Sequence, residues 1–193
     1  SSMALAKDVS SKVLDGSFVG FRTEIPISGR FPDGIVLADS GEFGVCVSRD
    51  PGSKPFDVTL NLVPMDITVG LGCKRGTDPE KMRSFVRRVL EEDAIAPQRV
   101  SAVGSIDLKK DEAAILETAS GLRAPAEFFS ADELNRLEGE FSSSEFVRGI
   151  TSVDCVCERA AKACGGTEFI RRKTSEDGMT IAICSKPFQA RFL

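Results

Sequence analysis

The spacing of apolar residues changes near residue 66. Before this point, an amphipathic pattern predicts one helix over 4–14. Short alternating runs between Pro- and Gly-containing turns predict strands at 18–23, 34–38, 43–48 and 58–63. One helix and four short strands form a small α+β segment with little core of its own. We therefore expect residues 1–64 to be the end of a larger module.

From residue 66 onward, predicted strands alternate with predicted helices. The strands are expected at 67–71, 99–106, 124–129, 169–173 and 179–184, and the helices at 78–92, 108–120, 130–137 and 153–164. The last two strands flank Glu176-Asp177-Gly178, which is a hairpin signal. A polar stretch at 142–149 is expected to be a linker. This order predicts a three-layer α/β domain over 65–193, with a mostly parallel sheet and a C-terminal β-hairpin.

Composition excludes several classes of chemistry. The chain contains no histidine, so Ser-His-Asp and Cys-His nucleophiles and two-histidine metal sites are excluded. The six cysteines include no Cys-x-x-Cys pair, and we expect them to be free thiols in a reducing cytoplasm rather than zinc ligands. The 25 basic and 29 acidic residues leave no basic surface for nucleic acid. No apolar run has the length of a membrane span.

The segment Gly70-Leu71-Gly72-Cys73-Lys74-Arg75-Gly76 lies between a predicted strand and a predicted helix, where ligands bind in α/β sheets. Its glycine spacing departs from the dinucleotide-binding pattern, and the acidic residues Asp78 and Glu80 oppose a phosphate there. Two interpretations stay open. The turn presents Lys74 and Arg75 to a ligand, or it is a tight turn with solvated cations.

Two further side chains are candidates for chemistry. Cys73 has cationic neighbours that favour a thiolate nucleophile, although a buried structural cysteine is the favoured interpretation. Glu112 is predicted on the apolar edge of the helix over 108–120, where a carboxylate has to be paired or functional. The cationic run Arg171-Arg172-Lys173 is read as a solvent-facing strand that discourages edge pairing.

Three motifs, taken in order, resemble one known family. The stretches 69–77, 105–112 and 156–161 (VGLGCKRGT, SIDLKKDE and VCERAA) resemble the C-terminal domain of the cobalamin-biosynthesis protein CbiG, which is shared with CobE. The resemblance covers about 66–186. It implies that 1–64 is a remnant of the central region of CbiG and that 65–193 is the C-terminal α/β domain. Proteins of this family carry a further N-terminal domain, for which we expect no counterpart here.

The resemblance implies a role in the anaerobic route to vitamin B12, as a cobalt-precorrin-5A hydrolase. In this reaction water opens the ring-A lactone of the macrocycle and acetaldehyde is released. The implied substrate is a cobalt-containing tetrapyrrole, with no metal site or cofactor in the protein because the macrocycle carries the cobalt. The other implied partners are neighbouring methyltransferases of the pathway. The implied catalytic residues are Glu112 and Glu158, and the implied substrate-binding residues are Gly70, Gly72, Lys74, Arg75, Gly76 and Lys109.

Two alternatives remain beside this hypothesis. One is a tetrapyrrole-binding module without activity, as in stand-alone CobE-like domains. The other is an unrelated nucleotide-binding α/β domain, which the imperfect glycine spacing disfavours.

Overall fold

The computed structural model describes residues 3–142 and 153–192, and these divide into two units. The first consists of the chain up to Pro64 together with the residues from Phe188 onward, and the second is Met65–Pro187. The break lies where the hydrophobic pattern changes. The second unit ends at Pro187, because the last strand of the chain belongs to the first unit and pairs there with residues 27–28. Most of the predicted linker at 142–149 lies outside the described residues.

In the first unit, one helix and a parallel sheet enclose a small core. The helix is α1 (Met3–Leu14), and the strands are β1 (Val19–Thr23), β2 (Ile27–Ser28), β3 (Ile35–Leu37), β4 (Gly41–Val47), β5 (Phe56–Leu62) and β11 (Ala190–Arg191). The sheet has the order β3-β1-β4-β5, and β2 pairs with β11. Phe21 packs edge-on against the rings of Phe31 and Phe192. The pair of two-residue strands is too short to leave a pattern in the sequence.

The second unit contains a five-stranded sheet with the order β8-β7-β6-β10-β9. Its strands are β6 (Ile67–Cys73), β7 (Val100–Ile106), β8 (Ala126–Phe129), β9 (Glu168–Glu176) and β10 (Met179–Ser185). The first three run parallel, and β10 is antiparallel to both of its neighbours. Asp177 and Gly178 both have positive φ, as a tight hairpin turn requires. The predicted C-terminal hairpin is confirmed, and it makes the sheet mixed because it joins beside β6.

Helices cover both faces of this sheet, which confirms the predicted three layers. On one face, α2 (Pro79–Glu92) and α3 (Ala113–Leu122) pack on an apolar core that includes Val69, Leu71 and Ile181. On the other face lie α4 (Ala131–Asn135) and α5 (Val156–Ala163). Glycines allow α5 to approach the sheet closely, since a Cβ at Gly104 would lie 2.7 Å from the Ala160 carbonyl oxygen.

Three predicted bounds near the motifs are wrong. The helix predicted over 153–164 begins at Val156, because Cys155 is its N-cap residue. The helix predicted over 108–120 begins at Ala113, because residues Asp107–Lys109 form a 3₁₀ turn that leaves Leu108 half-exposed. Glu112 is therefore the N-cap residue and not a position on a helical stripe. The strand predicted over 67–71 continues to Cys73, because β10 pairs with all seven of its residues. Gly70 and Gly72 thus belong to the strand and not to the turn.

Candidate functional site

The second unit has a cavity of about 780 Å³ at the carboxyl ends of β6 and β7. Four elements surround it: the turn after β6, the 3₁₀ turn after β7, the first turn of α5 and the β9–β10 hairpin. The lining residues are Gly72, Cys73, Lys74, Arg75, Ile106, Leu108, Lys109, Cys155, Val156, Cys157, Lys173, Ser175, Gly178, Met179 and Thr180. This is the edge of an α/β sheet at which ligands usually bind.

The cavity exists because α5 begins above Gly70. A Cβ at Gly70 would clash with the Cys157 carbonyl oxygen, so the helix backbone lies directly on the strand here. Two residues further along β6, on the same face, Gly72 pairs with Thr180, and among the described residues a Cβ at Gly72 would meet only the Thr180 hydroxyl and no helix backbone. Gly70 is therefore a packing residue for α5, whereas Gly72 forms part of the cavity floor.

Four cationic side chains line the cavity, and no acidic side chain does so among the described residues. Arg75 is held at the 3₁₀ turn, since Nη1 lies 2.6 Å from Asp111 Oδ1 and Nη2 donates to the Leu108 carbonyl oxygen at 3.2 Å. The hydrogen bond with Asp111 raises the pKa of Arg75. The Lys74 N–H donates to the Gly178 carbonyl oxygen at 3.2 Å, which joins the turn after β6 to the hairpin.

Glu112 lies beside the cavity but does not line it. Its side chain is 4% exposed, and Oε1 accepts a hydrogen bond from the Gly76 N–H at 3.0 Å. Its other oxygen lies 3.5 Å from Lys109 Nζ and 3.8 Å from Arg75 Nη1. The carboxylate is thus paired, and its partners are two cations of the cavity and the backbone of the glycine turn.

Glu158, in the first turn of α5, is fully buried and also does not line the cavity. It accepts hydrogen bonds from the N–H groups of Ser142 and Lys173, each at 2.8 Å, and from the Ser142 hydroxyl at 2.7 Å. Burial opposes its ionisation, but these bonds and the nearby Arg172 outweigh burial, so the pKa of Glu158 is lowered.

The structure brings together Gly72, Lys74, Arg75 and Lys109 of the predicted site. Gly76, with φ of +72°, shapes the turn behind them. The sequence interpretation missed the wall formed by the hairpin, which contributes Lys173, Ser175, Met179 and Thr180. The available signal is the cationic run at 171–173, whose interpretation as a solvent-facing strand is wrong for Lys173 because this residue lines the cavity.

Of the three cysteines that line the cavity, Cys73 and Cys157 are poor candidates for nucleophiles because the pKa of each thiol is raised. Burial raises the pKa of the Cys73 thiol, and this outweighs the opposite effect of Lys109. Cys155 and Cys157 are buried with their Sγ atoms 3.8 Å apart, and the hydrogen bond between the two thiols lowers the pKa of Cys155. Within residues 3–142 and 153–192, no group of three Cys, Asp or Glu side chains is arranged to hold a metal ion.

The N-terminus of α2 offers no phosphate site, which argues against the alternative of a nucleotide-binding domain. Asp78 caps this helix, with Oδ1 accepting from the Glu80 N–H at 2.8 Å and the Lys81 N–H at 3.5 Å. The turn amide of Gly76 is bonded to Glu112. Carboxylates therefore occupy the positions that a pyrophosphate would need.

None of the helices in residues 3–142 and 153–192 combines the length and the apolar composition of a membrane span.

Comparison with known proteins identifies relatives of this chain. The family model described as "Cobalamin synthesis G C-terminus" matches residues 67–184. The cobalt-precorrin-5A hydrolase of Salmonella typhimurium is 33% identical over 140 residues, which cover 72% of this chain and 40% of that protein. Protein CobE of a Sinorhizobium species is 32% identical over 105 residues, which cover 54% of this chain and 68% of CobE.

A solved structure supports the same relationship. The crystal structure of CobE, described as a protein from the cobalamin (vitamin B12) biosynthetic pathway, superposes with a TM-score of 0.56 at 29% identity. The superposition covers 62% of this chain and 89% of that chain. The chain described here spans 40% of the length of the Salmonella hydrolase.

Proposed function

Because this chain belongs to the cobalamin synthesis G C-terminus family, we propose that it is part of a cobalt-precorrin-5A hydrolase and that its cavity binds the cobalt-precorrin substrate. The name of the Salmonella relative supports the reaction. In the proposed reaction, water opens the ring-A lactone and acetaldehyde leaves. The cobalt is carried by the macrocycle, so the proposal needs no cofactor. The proposed setting is the cytoplasm, beside the methyltransferases of the same pathway.

The observation that carries this proposal is the composition of the cavity wall. A precorrin is a large macrocycle with an apolar ring and acetate and propionate groups at its edge. The cavity has an apolar floor with Ile106, Val156 and Met179, and it has cations at the turns but no acid among its described lining residues. Apolar surface suits the ring and cations suit its carboxylates.

The roles of the cations follow from the chemistry of the lactone. Attack of water on its carbonyl carbon places negative charge on the carbonyl oxygen, and a cation within reach stabilises that charge. Lys74, Arg75 and Lys109 are the proposed partners for this oxygen and for the substrate's carboxylates. Glu112 and Glu158 remain the proposed acid–base candidates from the sequence. Both carboxylates, however, accept hydrogen bonds from backbone N–H groups beside the cavity, Glu112 from Gly76 and Glu158 from Lys173.

A second candidate function has one specific observation in its favour. Because no acidic side chain among the described residues lines the cavity, these residues offer cations for binding but no free carboxylate base at its wall. A non-catalytic tetrapyrrole-binding module, like the proposed role of CobE-like domains, needs only the cations.

Acetaldehyde release separates the two candidates. The chain is incubated with cobalt-precorrin-5A, acetaldehyde is coupled to NADH oxidation by alcohol dehydrogenase, and the visible spectrum of the substrate is followed in parallel. The hydrolase proposal predicts acetaldehyde together with a spectral change. A spectral shift without acetaldehyde supports the binding module, and no response of either kind contradicts both functions for this chain.

A further inference from the structure

Three consecutive cations on β9 lie in different environments. Strict alternation along a strand would place Arg171 and Lys173 on the same face of the sheet. The structure separates them: Arg171 pairs with Asp93 at the end of α2, with Nε 2.7 Å from Oδ2, whereas Lys173 lines the cavity on the opposite face.

A β-bulge produces this separation. Two residue pairs flank it in the β9–β10 ladder, Thr174–Ile181 and Arg171–Ile183. Between these pairs, two residues of β9 oppose only Ala182, and Ala182 packs with the cysteines of α5. A bulge of this kind re-aims side chains. Here it turns both residues of the bulge, Arg172 and Lys173, towards the face that carries α5 and the cavity.

The carboxylate of Glu158 holds the bulge in place. The Lys173 N–H donates to Glu158 Oε1 at 2.8 Å, and Arg172 Nη1 lies 3.6 Å from Oε2. Because Glu158 is fully buried in the first turn of α5, this contact fixes the bulge relative to the helix beside the cavity. Ser175, two residues beyond Lys173 on the same face, also lines the cavity.

We propose that Lys173 binds a carboxylate of the tetrapyrrole, and that Glu158 is the positioning residue that holds the bulge from which Lys173 reaches the cavity. This inference rests on the proposed function. Lys74, Arg75 and Lys109 lie on the turns after β6 and β7, whereas Lys173 lies on the hairpin wall. Carboxylates project from all sides of a tetrapyrrole ring, so cations on separate walls are suited to hold different edges of one ring.

Binding of a corrinoid polycarboxylate tests the role of Lys173. The probe is cobyrinic acid, whose side chains are carboxylates, and the control ligand is cobinamide, in which they are amides. Equilibrium dialysis followed by visible absorbance gives the affinity. We expect Lys173→Gln to weaken cobyrinic acid binding about tenfold, as for the loss of one hydrogen bond to a charged group. Lys173→Arg should retain most of the affinity for cobyrinic acid. Neither substitution should change the affinity for cobinamide.

The matched control variant is Lys81→Gln, which removes the same charge from an exposed position on α2 outside the cavity. It leaves cobyrinic acid affinity unchanged. If the wild-type chain does not bind cobyrinic acid, the proposed function fails and this inference fails with it. If the wild type binds and Lys173→Gln and Lys81→Gln have equal effects, only the inference is overturned.

A double-mutant cycle tests the role of Glu158. If Glu158 acts through Lys173, Glu158→Gln weakens cobyrinic acid binding, and Glu158→Gln combined with Lys173→Gln binds no more weakly than Lys173→Gln alone. Glu158→Asp keeps the charge but shortens the side chain, and it serves if the Gln variant does not fold. It should also weaken cobyrinic acid binding in the Lys173 chain and have no further effect in the Lys173→Gln chain. Full additivity of the two substitutions overturns the positioning role, as does unchanged binding in both Glu158 variants.

Discussion

The carboxylate of Glu112 and the backbone N–H of Gly76 form a hydrogen bond of 3.0 Å across 36 positions of the sequence. Gly76 takes a positive φ in the turn after β6, and Glu112 is the N-cap residue of α3. The bond joins the two turns that present Arg75 and Lys109 to the cavity. Glu112 therefore has a structural function in the site, whatever its part in chemistry.

Replacing Glu112 with Gln removes the charge that pairs with Lys109 and leaves the side chain's shape. We expect the free energy of unfolding to fall by about 1–2 kcal/mol, less than for a fully buried ion pair because Arg75, one of the two cations beside Glu112, is exposed. Urea unfolding followed by circular dichroism measures the loss. The control is Glu117→Gln on α3, where half of the side chain is accessible and the carboxylate pairs with Arg83 at the surface; loss of such a surface pair changes the free energy of unfolding by less than about 1 kcal/mol.

Equal stability of the wild type and Glu112→Gln would contradict this structural role. If stability were unchanged and acetaldehyde release fell, Glu112 would act directly in the reaction, as the sequence analysis predicts.

The contact between Gly70 and α5 predicts a large cost for any side chain at that position. A Cβ at Gly70 would clash with the Cys157 carbonyl oxygen and lie 2.7 Å from the Ala161 nitrogen, both of them backbone atoms that cannot turn aside. We expect Gly70→Ala to lower the free energy of unfolding by about 3 kcal/mol, at the upper end for overpacked cores. Thermal or urea unfolding measures this loss.

The control for Gly70 is Gly121 in α3. A Cβ there would meet nothing closer than Arg83 Cδ at 3.7 Å, and alanine is the better helix former by up to about 1 kcal/mol. Gly121→Ala should therefore be neutral or stabilising. A Gly70→Ala variant as stable as Gly121→Ala would mean that α5 does not lie on β6 as described.

The parts of the fold that local sequence determines could be predicted. The helix expected over 78–92 is observed over Pro79–Glu92, because its cap, its first-turn proline and its apolar spacing all lie within the segment. The hairpin turn at Asp177-Gly178 is likewise specified by two residues that accept positive φ. The cations Lys74 and Arg75 could be selected because they follow a predicted strand of an α/β sheet, whereas Lys109 could be selected only through the resemblance of its motif to the family.

The hairpin wall of the cavity could not be predicted in the same way. The face that Lys173 occupies depends on a bulge, and the bulge depends on the register with β10 and on a hydrogen bond to Glu158 in another element. No pattern within 168–176 encodes either partner. The same reason applies to Glu112, whose position as N-cap follows from the 3₁₀ turn that Arg75 and Asp111 help to hold.

The hydrogen bonds of Glu158 predict a dependence of stability on pH. Its pKa in the folded state lies below the ordinary value of 4.5, so the ionised form stabilises the fold above the unfolded-state pKa. This contribution is lost as the pH falls through the folded-state pKa. We expect Glu158→Gln to be about 2 kcal/mol less stable than wild type near neutral pH, with a difference that shrinks on acidification below the ordinary pKa.

Urea unfolding of both proteins at a series of pH values measures that difference. Comparison with Glu117→Gln removes the general effect of losing one acidic group, because Glu117 is exposed on α3. A difference between wild type and Glu158→Gln that grows on acidification would show that the carboxyl group of Glu158 is favoured in its protonated form.

Cysteine alkylation maps where a corrinoid binds. Cys73 lines the cavity, whereas Cys164 lies at the end of α5 beside Gly104, outside it. Burial raises the pKa of both thiols, that of Cys164 to about 12, so both react slowly with iodoacetamide and mildly alkaline solution is needed. We expect saturating cobyrinic acid to slow alkylation of Cys73 at least about fivefold, as for a site occupied most of the time, and to leave Cys164 unaffected. Mass spectrometry of tryptic peptides measures both rates, and bound cobyrinic acid that left Cys73 unprotected would place the tetrapyrrole outside this cavity.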